Sequence, residues 1–278
     1  MATRTEDLRV TVIKPPARWE LIDFKELWEY RDLFSSMVWR SIQVQYAQTV
    51  LGFSWAIINP FIQIILFSVI FGKVAKVSSD GVPYLLFSTV AVIPWTYMSQ
   101  AISLSSQSLI TGGTMLGKIY FPRLIFPLTP VFAKLVDFAI SLLLLVTIMI
   151  YYRVSPSWNL IYLPIFFLLM IMVPAGIGMY LSAYAIRYRD VKHAMPFVIS
   201  LLVYTAPILY SASTIPPDFR LLYSLNPIVA VIEGFRSCLL GLPLEWAYIA
   251  PGIVTAMIML LTGALYFRKM ERVFVDVL

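Results

Sequence analysis

The chain of 278 residues is 60% hydrophobic, 15% aromatic and only 13% charged, with a formal net charge of +6. Soluble domains carry about a quarter charged residues, so this composition excludes an ordinary soluble fold. Cys238 is the one cysteine and His193 the one histidine, which excludes an intrachain disulfide, a cysteine metal cluster and a multi-histidine metal site.

The first residues, MATRTEDLRVTVIKPP, have no apolar core, so no cleaved signal peptide is expected and residues 1–26 read as a loosely ordered cytoplasmic tail. Next, Leu27, Tyr30, Leu33, Phe34, Met37, Val38 and Ile42 recur at three- and four-residue steps, with Glu26, Glu29, Arg31, Asp32 and Arg40 filling much of the remainder. That pattern predicts an amphipathic helix over 27–45, lying flat in the cytoplasmic interface as an anchor or as a docking surface.

Charged residues then fall into clusters separated by Ser41–Gly72, Gly81–Gly117, Val154–Ile186, Ala194–Pro217 and Trp246–Phe267, all charge-free. A helix crosses roughly 30 Å of hydrocarbon with about 20 residues, and each stretch is long enough. A sixth, Phe138–Tyr152, continues an apolar run from near Leu124. The expected fold is an all-α integral membrane protein with one transmembrane domain over 27–278. Its six transmembrane helices span about 50–72, 84–107, 124–152, 160–186, 194–211 and 246–267.

Between spans five and six, Ser211–Leu242 carries Asp218, Arg220, Glu233 and Arg236 together with Pro216, Pro217, Pro227 and Pro243. Such a segment does not describe lipid-exposed helix, and it reads as two short re-entrant gate helices covered by protein. With the N-terminus inside, six spans place fifteen Lys/Arg on the cytoplasmic side and five (Lys73, Lys76, Arg153, Arg220, Arg236) on the other, with Lys134 inside a helix. The asymmetry predicts N-in, C-in topology and explains the net charge without nucleic acid.

Gly112–Lys118, GGTMLGK, nearly matches a phosphate loop, but Ile119 stands where Ser or Thr must hold magnesium, and a spanning helix precedes it. It reads as a tight cytoplasmic turn. The chain is therefore expected to be no enzyme, to carry no catalytic or metal site, and to depend on a partner for ATP hydrolysis. The chain shows no convincing internal repeat and is about half the size of a single-chain transporter built from paired repeats, which points to a homodimer. Lys134 and Asp137 share a helix face and read as a snorkelling lysine with its structural partner, or as a proton relay. Glu233 and Arg236 make a similar pair that positions the gate. Arg187, Arg189 and Asp190 read as a topology anchor.

YAQTVLGFSWAIINPFIQ (Tyr46–Gln63) resembles the opening of the permease subunits of type-2 ABC exporters, in the branch that exports polysaccharides. KIYFPRLIFPL (Lys118–Leu128), AIRYRDVKHAMPF (Ala185–Phe197) and LNPIVAVIEGFRSCLLG (Leu225–Gly241) agree in order and spacing, so the resemblance runs from about residue 28 to the end. The chain departs from the family near Gln43, Gln45 and Ala47, where relatives carry basic residues, which weakens the case for an electrostatic platform there.

The resemblance implies a homodimer bound to two copies of a separate ABC ATPase subunit, which holds the ATP and Mg. It also implies export of a lipid-linked, O-antigen-like polysaccharide across the bacterial inner membrane through a channel between the two copies. The interface helix and the loop after span two would contact the ATPase through Tyr30, Arg31, Phe34, Lys118, Tyr120, Phe121 and Arg123. Spans one and five would face the pathway. Sugars bind by stacking on aromatic rings and by hydrogen bonding, which selects Phe53, Trp55, Asn59, Phe61, Gln63, Phe197, Tyr204 and Tyr210 as pathway candidates. The bland alternative is that Trp and Tyr sit at membrane interfaces and Phe fills helix contacts. The outer gate would be formed by Pro217, Asn226, Glu233 and Arg236. Teichoic-acid or capsule export, a drug or small-lipid exporter, and a membrane glycosyltransferase remain as other readings. The last needs an acidic or histidine cluster on an aqueous face.

Overall fold

The computed structural model of the chain describes residues 24–47, 49–112, 121–155, 157–188 and 190–271. Every regular element among them is helical. The tail 1–23, residues 113–120 (most of the GGTMLGK turn, with Lys118 and Tyr120), Arg189 and residues 272–278 lie outside the described residues.

The amphipathic segment forms α1 (Phe24–Glu29) and α2 (Arg31–Tyr46), which break at Tyr30 rather than running as one helix. The apolar residues Leu27, Tyr30, Leu33, Phe34 and Met37 pack on a cluster that includes Leu109, Phe121, Phe126, Met179 and Phe267. The apolar stripe is thus half-buried against protein, and Trp28 and Trp39 are left exposed on α2 and its approach.

Span one starts in a 3-10 turn at Gly52–Ser54, continues as α3 (Trp55–Phe67) and ends in a π-helical stretch, Ser68–Val74. There follow α4 (Tyr84–Thr111), α5 (Ile125–Tyr151), α6 (Leu163–Arg187, entered through a turn at Trp158–Tyr162) and α7 (Val191–Thr205). The chain closes with α8 (Pro217–Ser224), α9 (Pro227–Leu240) and α10 (Trp246–Glu271). Among the described residues five helical stretches are long and apolar enough to cross a membrane: Gly52–Val74, Tyr84–Thr111, Ile125–Tyr151, Trp158–Arg187 and Trp246–Glu271. The chain is a multi-pass membrane protein.

The expected fifth span, 194–211, departs from this pattern. Its helix α7 has 15 residues and stops at Thr205, about 22 Å of rise against some 30 Å of hydrocarbon. The cause is Pro207: the residue before a proline is pushed out of the α region, and Ala206 is extended at φ −118°, ψ 158°.

The central post is α4, whose apolar window is 78% buried against 17% for span one. It packs on α3, α5, α6, α7 and α9, with α3 packing on α5 as well, so α3 and α7 lie at the periphery of the bundle. Lipid supplies no hydrophobic drive between helices, so close backbone approach has to hold the bundle. The α6–α10 crossing shows it: a Cβ on Gly263 would meet the Gly176 carbonyl oxygen at 2.7 Å, and one on Gly176 would meet the Leu260 nitrogen at 2.9 Å. Asn226 caps α9 by accepting from the Ile228 amide at 3.0 Å, with Pro227 in the first turn and Gly241 at φ 71° closing its end.

Candidate functional site

Two polar clusters lie in the bundle, each built on a pair of charges three residues apart, with Phe138 of one and Phe235 of the other in ring contact at 6.3 Å. Beside α2, Lys134 Nζ donates to Asp137 Oδ2 at 2.8 Å. Asp137 also accepts from Gln45 Nε2 at 2.9 Å and from the Tyr46 hydroxyl. One carboxylate therefore ties the last turn of α2 to the middle of α5. Burial first, and then the hydrogen bond to Asp137, push the Tyr46 phenol well above its ordinary range, so it stays a donor. Ser141, one turn on, donates to the Ala56 carbonyl of span one at 2.8 Å. Lys134 does not snorkel as expected; it is 6% exposed and held inside protein. Beside the pair lies a cavity of about 470 Å³ lined by α2, α3, α4 and α5, with Gln45, Trp55, Asn59, Thr96 and Gln100 on its wall.

In the second cluster, on α9, Arg236 is 1% exposed. Its Nη1 reaches Glu233 at 3.0 Å and the Tyr210 carbonyl at 3.4 Å, and its Nη2 reaches the Ile208 carbonyl at 3.4 Å. The guanidinium carbon stands 3.5 Å from the Phe87 ring centroid. The carbonyls released where α7 breaks are shared among side chains: Thr205 accepts from Asn226 at 3.2 Å, Tyr204 from the Tyr210 hydroxyl at 3.1 Å, and Leu209 from the Tyr84 hydroxyl at 2.7 Å. Irregular backbone at membrane depth needs such partners from protein. Asp80, held at φ 53° in the loop after span one, accepts from Ser211 and Ser213 and pins that loop to the same place. A second cavity of about 340 Å³ opens here, with Asp80, Arg220, Tyr223, Glu233, Glu245 and Tyr248 on its wall.

The expected pathway residues fall in three places rather than one. Trp55 and Asn59 line the cavity near α2, while Phe53 packs on Tyr46 with ring centroids 4.1 Å apart. Phe61 is exposed further along span one and Gln63 is half-buried. Phe197 and Tyr204 are exposed on α7, and Tyr210 belongs to the Arg236 cluster. Of the gate residues, Asn226, Glu233 and Arg236 meet around the broken end of α7, and Pro217 starts α8. On the opposite face Arg31 is exposed, whereas Tyr30 and Phe34 are half-buried against the bundle, Phe34 edge-on to Phe132 at 5.3 Å. Phe121 is buried against Phe126, and Arg123 Nη1 donates to the Glu271 carbonyl at 2.8 Å. Those two organise the end of the bundle whatever else they contact.

Residue spacing announced both ion pairs. The roles of Gln45, Tyr46, Asp80 and Tyr84 were not legible, because each depends on contacts some ninety or more residues away. Pro207 was the available signal for the carbonyls that Arg236 holds.

Comparison with known proteins supplies a family. The profile described as ABC-2 type transporter matches residues 32–240. The O-antigen export system permease protein RfbA of Klebsiella pneumoniae is 26% identical over 248 residues, covering 89% of this chain and 95% of that protein. The protein of the same name from Myxococcus xanthus is 26% identical over 215 residues, 77% of this chain and 82% of that one. The polysialic acid transport protein KpsM of Escherichia coli is 22% identical over 219 residues, 77% and 81% of the two chains.

Proposed function

Because the chain belongs to the ABC-2 type transporter family, we propose that it is the permease subunit of an ABC exporter that carries a lipid-linked, O-antigen-like polysaccharide outward across the cytoplasmic membrane. The observation that carries the substrate class is the near full-length similarity to a permease named for O-antigen export. Energy comes from two copies of a separate ATPase subunit that bind the ATP and Mg, docking on the α2 side of a homodimer. Both termini lie in the cytoplasm. In this reading α7 and the 206–211 segment together make the fifth crossing, and α8 and α9 are re-entrant helices of the outer gate. The channel runs between the two copies along α3 and α7, where Trp55, Phe61, Phe197 and Tyr204 are exposed on helices that both rest on α4. Exposed rings on two peripheral helices suit a passage for sugar faces, and they account for how little of span one its own protomer buries.

The test is deletion of the gene in its own host. Surface polysaccharide should disappear while carrier-linked polymer accumulates inside the cell, and the intact gene should restore export. Unchanged surface polysaccharide would contradict the reading. The similarity to a polysialic acid transport protein favours capsular polysaccharide as the second reading, separated from the first by whether the missing polymer is lipid-A-linked or capsular.

A further inference from the structure

The outward surface of α10 is ordered along its length. Met257, Ile258, Leu261 and Leu265 recur at three- and four-residue steps and are 45–55% exposed, so one apolar stripe faces away from the bundle. Lys269, also exposed, is the next residue on that stripe. From Met257 to Lys269 the helix rises about 18 Å, a little more than half of the hydrocarbon thickness. Near its charged end the stripe is flanked by rings. Tyr266 stacks on Tyr180 and Tyr184 of α6 with centroids 5.4 and 5.0 Å apart, and Tyr184 stacks on Tyr188 at 6.4 Å. The two helices approach closely at Gly176 and Gly263, one turn earlier, which brings those rings together. Arg187 is exposed, with its guanidinium carbon 5.4 Å from the Tyr188 ring centroid. Neither Arg187 nor Lys269 forms an ion pair among the described residues. Around them Arg187, Lys192, Arg268 and Lys269 outnumber Asp190 and Glu271, which leaves an excess of positive charge.

An apolar stripe one leaflet deep, then stacked rings, then unpaired cations, matches the order of groups along a phospholipid: acyl chain, glycerol ester, phosphate. A soluble partner would reach the cations and the outermost rings, but not a stripe at span depth. A second copy of the chain would bury Arg187 and Lys269 with no counter-charge from this face. A zwitterionic lipid brings as much positive charge as negative, so the excess of cations selects an anionic one. We propose that the α6–α10 edge is a binding surface for an anionic phospholipid of the cytoplasmic leaflet. Its acyl chain lies along Leu261 and Leu265, and its phosphate is held by Arg187 and Lys269 beside the tyrosine stack. The inference goes beyond the export reading, since it concerns the surrounding membrane and not the cargo; it uses only the proposed orientation, which puts these helix ends in the cytoplasm.

The test places the intact transporter with its ATPase in phosphatidylcholine nanodiscs doped with equal traces of one of two photoreactive lipids, phosphatidylglycerol or phosphatidylcholine, each carrying a diazirine on an acyl chain. After illumination, adducts on residues 257–269 are counted by mass spectrometry and normalised to those on residues 143–150 of α5, where Leu143, Val146 and Ile150 are exposed. Phosphatidylglycerol should label 257–269 about fivefold more than phosphatidylcholine does, the preference that one basic residue supplies toward anionic lipid. Arg187→Gln with Lys269→Gln should bring the ratio to about one. Arg187→Lys with Lys269→Arg should keep it, which separates lost charge from lost structure. Lys73→Gln with Lys76→Gln, two exposed cations removed elsewhere, should also keep it. Equal labelling by the two lipids in the native transporter would reduce the rings to an interface girdle and overturn the proposal. A loss as large in the Lys73/Lys76 variant, or an undiminished ratio in the Arg187→Gln, Lys269→Gln variant, would overturn it as well. Each of these failures would leave the deletion phenotype, and with it the export reading, untouched.

Discussion

The two buried ion pairs share a spacing and differ in which charge is the hub. Near α2 the anion gathers donors: Asp137 takes Lys134, Gln45 and Tyr46. Around α9 the cation gathers acceptors: Arg236 reaches Glu233 and the carbonyls of Ile208 and Tyr210. The partners follow from what each place lacks. A helix end that lies outside the spans has side-chain donors to give, so one carboxylate fastens it. A helix broken by proline has carbonyls to give, and only a donor with several N–H groups holds them at once. The first arrangement joins two elements; the second repairs one. On the proposed orientation, the joint between α2 and the spans is where motion from an ATPase would be transmitted, and the repaired break is where an outer gate would stay shut or reopen.

Removing the hubs should separate the two cases. Arg236→Met leaves Glu233 unpaired and the broken end of α7 without its donors, so the largest loss is expected there, about 3–5 kcal/mol as for a buried pair robbed of one member. Thermal unfolding of the purified permease measures it; a loss below about 1 kcal/mol, within the range of ordinary surface changes, would show that the guanidinium is no brace. Asp137→Asn keeps the acceptor geometry and discards the charge, leaving Lys134 buried alone. About 2 kcal/mol is expected, with much of it recovered when Lys134→Met is added, because the pair's main penalty is an uncompensated charge. Absence of that recovery would mean that Asp137 matters for its hydrogen bonds and not as a counter-ion. Tyr46→Phe should be the mildest, about 1.5 kcal/mol for one hydrogen bond to a charged group. Its effect should shrink in the Asp137→Asn background if the two share one interaction. Simple additivity would break the picture of a single hub.

What could be read from the residues, and what could not, divides along the same line. Charge-free stretches located four of the five membrane-length helices and an apolar run from Leu124 the other, because hydrocarbon sets a minimum length, whereas the charge-free stretch 194–217 gave only the 15-residue α7. The i, i+3 spacing located both pairs because one helix face is fixed by local geometry alone. Short helices over 217–240 were legible from prolines and charges that lipid would not tolerate. The apolar stripe of Leu27, Tyr30, Leu33, Phe34 and Met37 was legible as a stripe, but its partner was not, since periodicity does not distinguish lipid from the ends of neighbouring helices. For the same reason Lys134 read as a snorkelling residue: its burial comes from α2 and span one folding over it, which no pattern within α5 records. The end of α7 at Thr205 was within reach, since Pro207 restricts Ala206 directly, yet the apolar run continuing to Tyr210 masked it.

The assignment of the α2 end to the ATPase side and the Arg236 end to the outside underlies both roles, and cysteine accessibility in intact cells addresses it most directly. In a Cys238→Ser background, Ser213→Cys, whose native hydroxyl donates to Asp80 at 2.8 Å beside the far cavity, should react with a membrane-impermeant maleimide from outside. Arg268→Cys, near the end of α10, should react only after the cells are opened. Labelling of Arg268→Cys in intact cells, with Ser213→Cys protected, would contradict the account.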